Sequence, residues 1–484
     1  ILAVSGLHIR IITGVLLFLF AYIGLNRKLN IVLTVTILWL YAYIIGNPLS
    51  VLRANIMFTL LLLANLWAEP YDSINALFFA LFILIIINPY WILDLGFQLS
   101  FIATFSILYL TPRLNQIFYS KDSNIMKALV GILSVQIGLF PILSYYFNRI
   151  PIMSILANLL FIPIFSICLI LSIVLIPISS ISISIANSVG IIIDVLLKVQ
   201  FCGIEVLNHF PLLTIKLPSP SIIVILIYYI FIFILFGIID IRSFNKRVSK
   251  AIVFYCLLLV LVNSIFISLD STISVNFIDV GQGDCILLKT KEGAYLIDTG
   301  GNIFGNFDIG KNILLPYLEK EGIFKLKGVF VTHYDADHCK SLPLLMENLR
   351  IDNIYIGYER EDNSLYRNIV EGAYNNNIPI ILLKKGDRLR LDRNTILSVL
   401  GPDNGLLENP KLDENDLSLV LLLNYYEQKI LFTGDIEKVG EENLINSLDT
   451  KVQFLKVPHH GSNTSSGVDF LNRIRPDIGF VSVG

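Results

Sequence analysis

From Ile1 to about Leu269 the chain is a succession of apolar runs, among them ITGVLLFLFAYIGL, ALFFALFILIIINPYWIL, SIIVILIYYIFIFILFGII and AIVFYCLLLVLVNSIFISL. A helix needs ~20 apolar residues to cross the hydrocarbon core, and the runs predict about ten such segments. From Asp270 the pattern changes. Short alternating stretches (ISVNFID, GVFVT, KILFTG, VQFLKV) are separated by Gly, Asn, Asp and Pro clusters and by charged, helical-looking stretches such as LLPYLEKEG. That pattern predicts strands alternating with helices. The expected organisation is a polytopic α-helical membrane domain over residues 1–270 followed by a soluble α/β or α+β domain over residues 271–484.

Composition agrees with lipid as part of the solvent: 484 residues, 55% hydrophobic, 15% charged, mean hydropathy +0.72. The formal charge of −2 offers no bulk attraction for nucleic acid. Cys168, Cys202, Cys256, Cys285 and Cys339 are odd in number and have no ligand-like spacing, so no disulfide framework is expected. The chain opens inside an apolar run and stops at GFVSVG, which reads as truncation at both ends. The basic stretch Arg242 to Lys250 (RSFNKRVSK) precedes the last apolar run, and basic loops stay cytoplasmic. The soluble domain is therefore expected on the outer face. Counting back, Asn26 to Lys28 and the stretch Thr111 to Lys127 fall inside, in agreement.

The densest chemistry is in VTHYDADHCKS, residues 331–341, directly after the apolar run 328–331. Its spacing suits a loop folded around two divalent ions, with His333 and Asp335 facing one and Asp337 and His338 the other. LFTGD ends a second strand at Asp435, whose two oxygens suit a bridge between the ions. KVPHHGS ends a third with His459, taken as a ligand, and His460, left open between ligand, orienting partner and general acid. Four of the six histidines of the chain lie in these motifs. Asp337, Asp435 and His460 are the candidate catalytic groups. Asp279, Asp284 and Asp298 are expected to orient ligands rather than bind directly, and the glycines of VGQG read as a turn.

HYDADH, with LIDTG before it and TGD and PHHGS after it, resembles the metallo-β-lactamase fold superfamily. FIDVGQGDCILL, LIDTGG and VPHHGSNTSS are more specifically similar to the soluble domain of the ComEC-like DNA-internalisation channels of bacterial competence. In the membrane half, LAVSGLHI (Leu2 to Ile9), RANIM (Arg53 to Met57), DLGFQLSF (Asp94 to Phe101) and ANLLFIP (Ala157 to Pro163) resemble that family's motifs. The resemblance implies an αββα sandwich, incomplete at its C-terminus, and transport of single-stranded DNA across the cytoplasmic membrane during transformation. It also implies metal-dependent hydrolysis of the strand left behind, with a DNA receptor and a cytoplasmic helicase as partners.

The sequence departs from the superfamily pattern in two places. Asp335 stands where most relatives carry a second histidine, and no histidine lies between His338 and Asp435, where Asn415, Asp416 and Ser418 are the substitutes at hand. The site is thus rich in oxygen donors, which places manganese slightly ahead of zinc for the two ions. In the membrane half His8, Arg53, Asp94 and Gln98 are the candidate lining of a DNA path, because ionisable groups in apolar spans are costly unless they face an interior or water. Glu205 and His209 read as structural, and Lys384 to Arg393 as a solvated hairpin. Two alternatives stay open: a DNA channel whose soluble domain is not catalytic, and a membrane-anchored metallo-hydrolase of a small ester.

Overall fold

The structure, a computed structural model, describes residues 5–117, 123–208, 214–237, 272–302, 307–409, 412–445, 447–448 and 451–483. The expected boundary near residue 270, the basic stretch Arg242 to Lys250, the last apolar run and His209 lie outside the described residues. The chain divides into two compact units, residues 1–253 and 254–484.

In the first unit, five described helices are long and apolar enough to cross a membrane: Arg27–Ile44, Leu49–Trp67, Leu95–Gln116, Asn124–Phe147 and Met153–Ile181. Gly6–Tyr22, Ser73–Ile87 and Ile222–Leu235 are apolar but shorter. The surface of these helices exposes Phe18, Phe79, Phe82 and Ile86, which suits hydrocarbon rather than water. The stretch after Met153 breaks at Ser182. It continues as the helix Ile183–Asn208, whose exposed face carries a Lys198–Asp194 pair at 2.7 Å and which is not among the five.

The second unit is built on two six-stranded sheets. The first runs in spatial order from β6 to β1: β1 (Ser274–Phe277), β2 (Ile286–Thr290), β3 (Gly293–Ile297), β4 (Gly328–Val331), β5 (Ile354–Ile356) and β6 (Ile380–Leu382). The second runs β7 to β12: β7 (Arg388–Arg390), β8 (Thr395–Gly401), β9 (Val420–Tyr425), β10 (Gln428–Phe432), β11 (Phe454–Lys456) and β12 (Ile478–Phe480). In each sheet the early strands pair antiparallel and the later ones parallel. Arg388 and Arg390 are exposed on edge strand β7, as a solvated hairpin requires.

Alternation along the strands sends each sheet's residues to two faces. Inner-face residues of both sheets, including Ile286, Leu288, Phe330, Leu397, Leu421 and Phe432, form one core. The outer face of the first sheet packs Leu287, Leu296 and Val329 against Leu318, Leu345 and Ile369 of the helices Leu315–Lys320, Leu342–Asn348 and Ser364–Asn375. On the second sheet Leu422, Leu431 and Leu455 pack against Leu444 of Lys438–Ile445 and Phe470 of Val468–Ile474. This is the αββα sandwich that the resemblance implies. Phe330 is fully buried between the sheets and stacks on Tyr355 at 4.6 Å. Phe330→Ala is expected to destabilise this unit by about 3–5 kcal/mol, read as a lower urea midpoint of the unit's unfolding.

Candidate metal centre

Parallel pairing brings the carboxyl ends of β3, β4, β10 and β11 to the same edge of the sandwich, and the polar motifs follow those ends. Asp298 leaves β3 at φ 56°, a left-handed conformation that a short polar residue tolerates. Its Oδ1 accepts from the Thr332 backbone N at 2.8 Å, and its Oδ2 from Thr332 Oγ1 at 2.6 Å. The motif loop that leaves β4 is thereby pinned at its first residue. From there His333 points inward, Asp335 starts the short helix Ala336–Cys339, and Asp337 and His338 lie within that helix.

Two glycines let the neighbouring loops close on this helix. A Cβ on Gly283, at φ 130°, would stand 2.3 Å from the Asp337 carbonyl oxygen, and one on Gly301 would stand 1.9 Å from that of Ala336. The glycine of VGQGD is therefore required by close approach as well as by its turn.

His338 is fully buried, with Nδ1 2.9 Å from Asp298 Oδ2 and Nε2 3.1 Å from Asp435 Oδ2. The Asp298 contact fixes the ring and turns Nε2 toward the centre. Asp435 arrives from the turn after β10, its backbone N donating to Ser418 Oγ at 3.2 Å. After β11, His459, His460 and Gly461 all take positive φ, 45°, 53° and 77°, and this left-handed run reverses the chain so that His460 enters the cluster. Its Nε2 lies 3.1 Å from Asp435 Oδ2 and 3.5 Å from Asp337 Oδ2.

The same turn sends His459 outward, where Nδ1 lies 3.0 Å from Glu437 Oε1 and 3.2 Å from Thr464 Oγ1. The structure thus brings His460 rather than His459 to the centre. Of the remaining sequence candidates, Asp335 is exposed at the mouth, with Oδ2 3.6 Å from His333 Nε2. Asp279 is exposed and accepts from the Gly281 backbone N. Asp284 is buried beside Lys456. Asp416 sits behind the site, accepting from the backbone N of Glu437 and Gly440, and Ser418 Oγ stands 3.4 Å from His333 Nδ1.

Burial alone would raise the carboxyl pKa of Asp435, but His338 and Lys456 hold it well below the usual range. Burial alone would lower the two histidines. Asp435 and Asp298 instead raise His338 well above its ordinary value, and Asp337 and Asp435 bring His460 to about 9. The cluster thus attracts positive charge. His333 Nε2 and Asp284 Oδ1 are buried without a hydrogen-bond partner, a costly state that a cation would relieve. Among the described residues, Asp337, His338 and His460 form one group of donors within ion-binding reach of one another, and His333, His338 and Asp435 another. Mixed imidazole and carboxylate donors of this kind fit a divalent ion.

The family model for competence proteins matches residues 1–241, and that for the metallo-beta-lactamase superfamily matches residues 278–484. Residues 1–241 thus carry the competence-protein family's domain. The chain carries the metallo-β-lactamase domain in its second half. ComE operon protein 3 of Bacillus subtilis (strain 168) is 28% identical over 500 residues, covering all of this chain and 63% of that protein. Recombination protein 2 of Haemophilus influenzae is 24% identical over 530 residues with the same coverage. Competence protein ComA of Neisseria gonorrhoeae is 27% identical over 217 residues, covering 44% of this chain and 28% of that one. The chain thus spans 63% of the length of the first two relatives.

In this chain the residue that motif reading passed over is Lys456. Its signal was present: a lysine closing the apolar strand β11, two residues before PHHG. Parallel register sets it opposite Phe432, next to the turn that carries Asp435.

In the membrane unit the four candidate residues differ. Asp94 is exposed and accepts from the Phe97 backbone N at 2.7 Å, and Gln98 Nε2 donates to the Ile92 carbonyl at 2.9 Å, so both secure the start of one helix. His8 is buried, accepts from the Ser5 backbone N at 3.1 Å and packs edge-on against Phe165. Arg53 is buried, donates to Thr104 Oγ1 and leaves Nε without a partner; among the described residues no carboxylate pairs with it.

Asp298→Asn keeps the shape of the side chain and removes the charge behind His338. It is expected to weaken Mn²⁺ binding about 10–100-fold, checked by metal titration of the chelator-stripped protein.

Proposed function

We propose that this chain passes single-stranded DNA across the cytoplasmic membrane during natural transformation, and that its second unit hydrolyses the other strand in a divalent-metal centre. The observation that carries the hydrolytic reading is the convergence of Asp337, His338, Asp435 and His460 from three separate motifs onto one buried cluster. The competence-family domain supports DNA as the substrate. Two imidazoles and two carboxylates suit manganese or zinc.

A divalent ion in the centre would supply Lewis acidity toward a phosphoryl oxygen and acidify a water. The chain's own residues do the rest. Asp298 holds the His338 tautomer, the left-handed turn at His459 and His460 fixes the fourth donor, and half-exposed Asp335 marks the mouth through which an anion enters. A peripheral site suits phosphodiester chemistry, which requires positioning more than a deep pocket.

The path for the intact strand is assigned to the membrane unit, with Arg53 as the group most suited to a phosphate. A guanidinium buried in an apolar helix without a carboxylate is costly unless an anion or water meets it. The basic stretch Arg242 to Lys250 supports an extracytoplasmic second unit. A receptor that delivers duplex DNA and a helicase that draws in the strand are the partners this reading requires.

Two substitutions separate the functions. Asp337→Ala is expected to reduce Mn²⁺-dependent DNA hydrolysis by the purified full-length protein to background, and unchanged hydrolysis would sink the nuclease reading. Arg53→Ala is expected to leave that hydrolysis intact and lower uptake of labelled DNA by cells. Unaltered uptake in a stably produced variant would remove Arg53 from the path.

A further inference from the structure

The motifs lead from sequence to two ions bridged by the two oxygens of Asp435, but the structure divides those oxygens differently. Oδ2 lies 3.1 Å from both His338 Nε2 and His460 Nε2, beside Asp337. Oδ1 accepts from Lys456 Nζ at 3.1 Å. The same ammonium pairs with Asp284 Oδ2 and donates to the Gly434 carbonyl at 3.0 Å. An ammonium has three donors, so each N–H of Lys456 has its own acceptor. Lys456 is 1% exposed, and lysines are almost never so buried unless paired.

The strand register makes this position rigid. Lys456 pairs with Phe432 across β10 and β11, and its carbonyl accepts from Thr433 Oγ1 at 2.8 Å. The turn that aims Asp435 is therefore tied to the strand that supplies the ammonium.

On the other side of the cluster His333 lies within ion-binding reach of His338 and Asp435, but the further donors there are weak. Ser418 Oγ accepts from the Asp435 backbone N and stands 3.4 Å from His333 Nδ1, and the Asp335 side chain is 51% exposed. His333 Nε2 is the one buried donor in that half without a partner among the described residues.

We propose that the centre holds one divalent ion, on Asp337, His338, Asp435 and His460, and that the Lys456 ammonium stands as a fixed positive charge where a second ion would bridge Asp435. This rests on the metal-dependent reading above and changes its stoichiometry. Lys456 is a positioning residue: it sets Asp435 and neutralises Asp284, and all three of its N–H groups are engaged away from substrate. His333 and Asp335 are then left to meet the substrate.

The test is a count of ions. The full-length protein in detergent, stripped with chelator, is titrated with Mn²⁺ and read by bound manganese per chain and by electron paramagnetic resonance. One ion per chain with the spectrum of an isolated Mn²⁺ is expected for the wild type. For Lys456→Gln a second ion is expected, with the exchange coupling of a pair about 3.5–4 Å apart. A wild-type protein that loads two coupled ions overturns the proposal while leaving metal-dependent hydrolysis standing. Loading of none, with Asp337→Ala unchanged in hydrolysis, overturns both. A folded Lys456→Gln that stays at one ion also overturns the role of the lysine. If that variant does not fold, the wild-type count decides alone.

Discussion

Four aspartates, Asp284, Asp298, Asp337 and Asp435, are buried together at one edge of the sandwich, and buried carboxylates are tolerated only where positive charge and hydrogen bonds meet them. The surrounding architecture answers that demand residue by residue. Thr332 and His338 serve Asp298, Lys456 serves Asp284 and one oxygen of Asp435, and His338 and His460 lie against the other oxygen. The same carboxylates raise the pKa of His338 and His460, drawing positive charge to the site. The residues that satisfy these carboxylates are the same ones that would hold a divalent ion.

Strand direction makes this concentration of charge possible. Only parallel strands bring successive carboxyl ends to one edge, and in both sheets the parallel part follows the antiparallel part. The antiparallel strands contribute apolar residues to the shared core. Pinning at Thr332, close approach at Gly283 and left-handed backbone at His459 and His460 then turn three loops inward. The left-handed positions at His459 and His460 cost about 1–3 kcal/mol each, and they persist because the sheet holds the loop ends in place.

Most of this was legible in the sequence, for a physical reason. Metal-grade side chains at the ends of apolar strands stand out from ordinary loops, and the structure brings His333, Asp337, His338 and Asp435 into one buried cluster. The choice between His459 and His460 was not legible, because it depends on two backbone angles that adjacent identical residues do not reveal. Lys456 was missed because its role depends on register with β10 rather than on any spacing within its own motif. In the membrane unit the apolar helices follow from composition, whereas Asp94 and Gln98 serve a helix start that hydropathy alone does not distinguish from a polar lining.

The two buried cations show how satisfaction separates a structural charge from a binding group. Lys456 has three acceptors for three donors, two of them carboxylates, so its charge is cancelled locally and it has no free direction to offer a ligand. Arg53 is buried to a similar degree, yet its described contacts are a hydroxyl and a thioether sulfur, and its Nε has no partner. Guanidinium geometry matches phosphate oxygens in pairs. A buried cation whose donors all meet acceptors is thus spent on holding its neighbours in place, whereas one that no described carboxylate pairs with keeps charge to offer an anion.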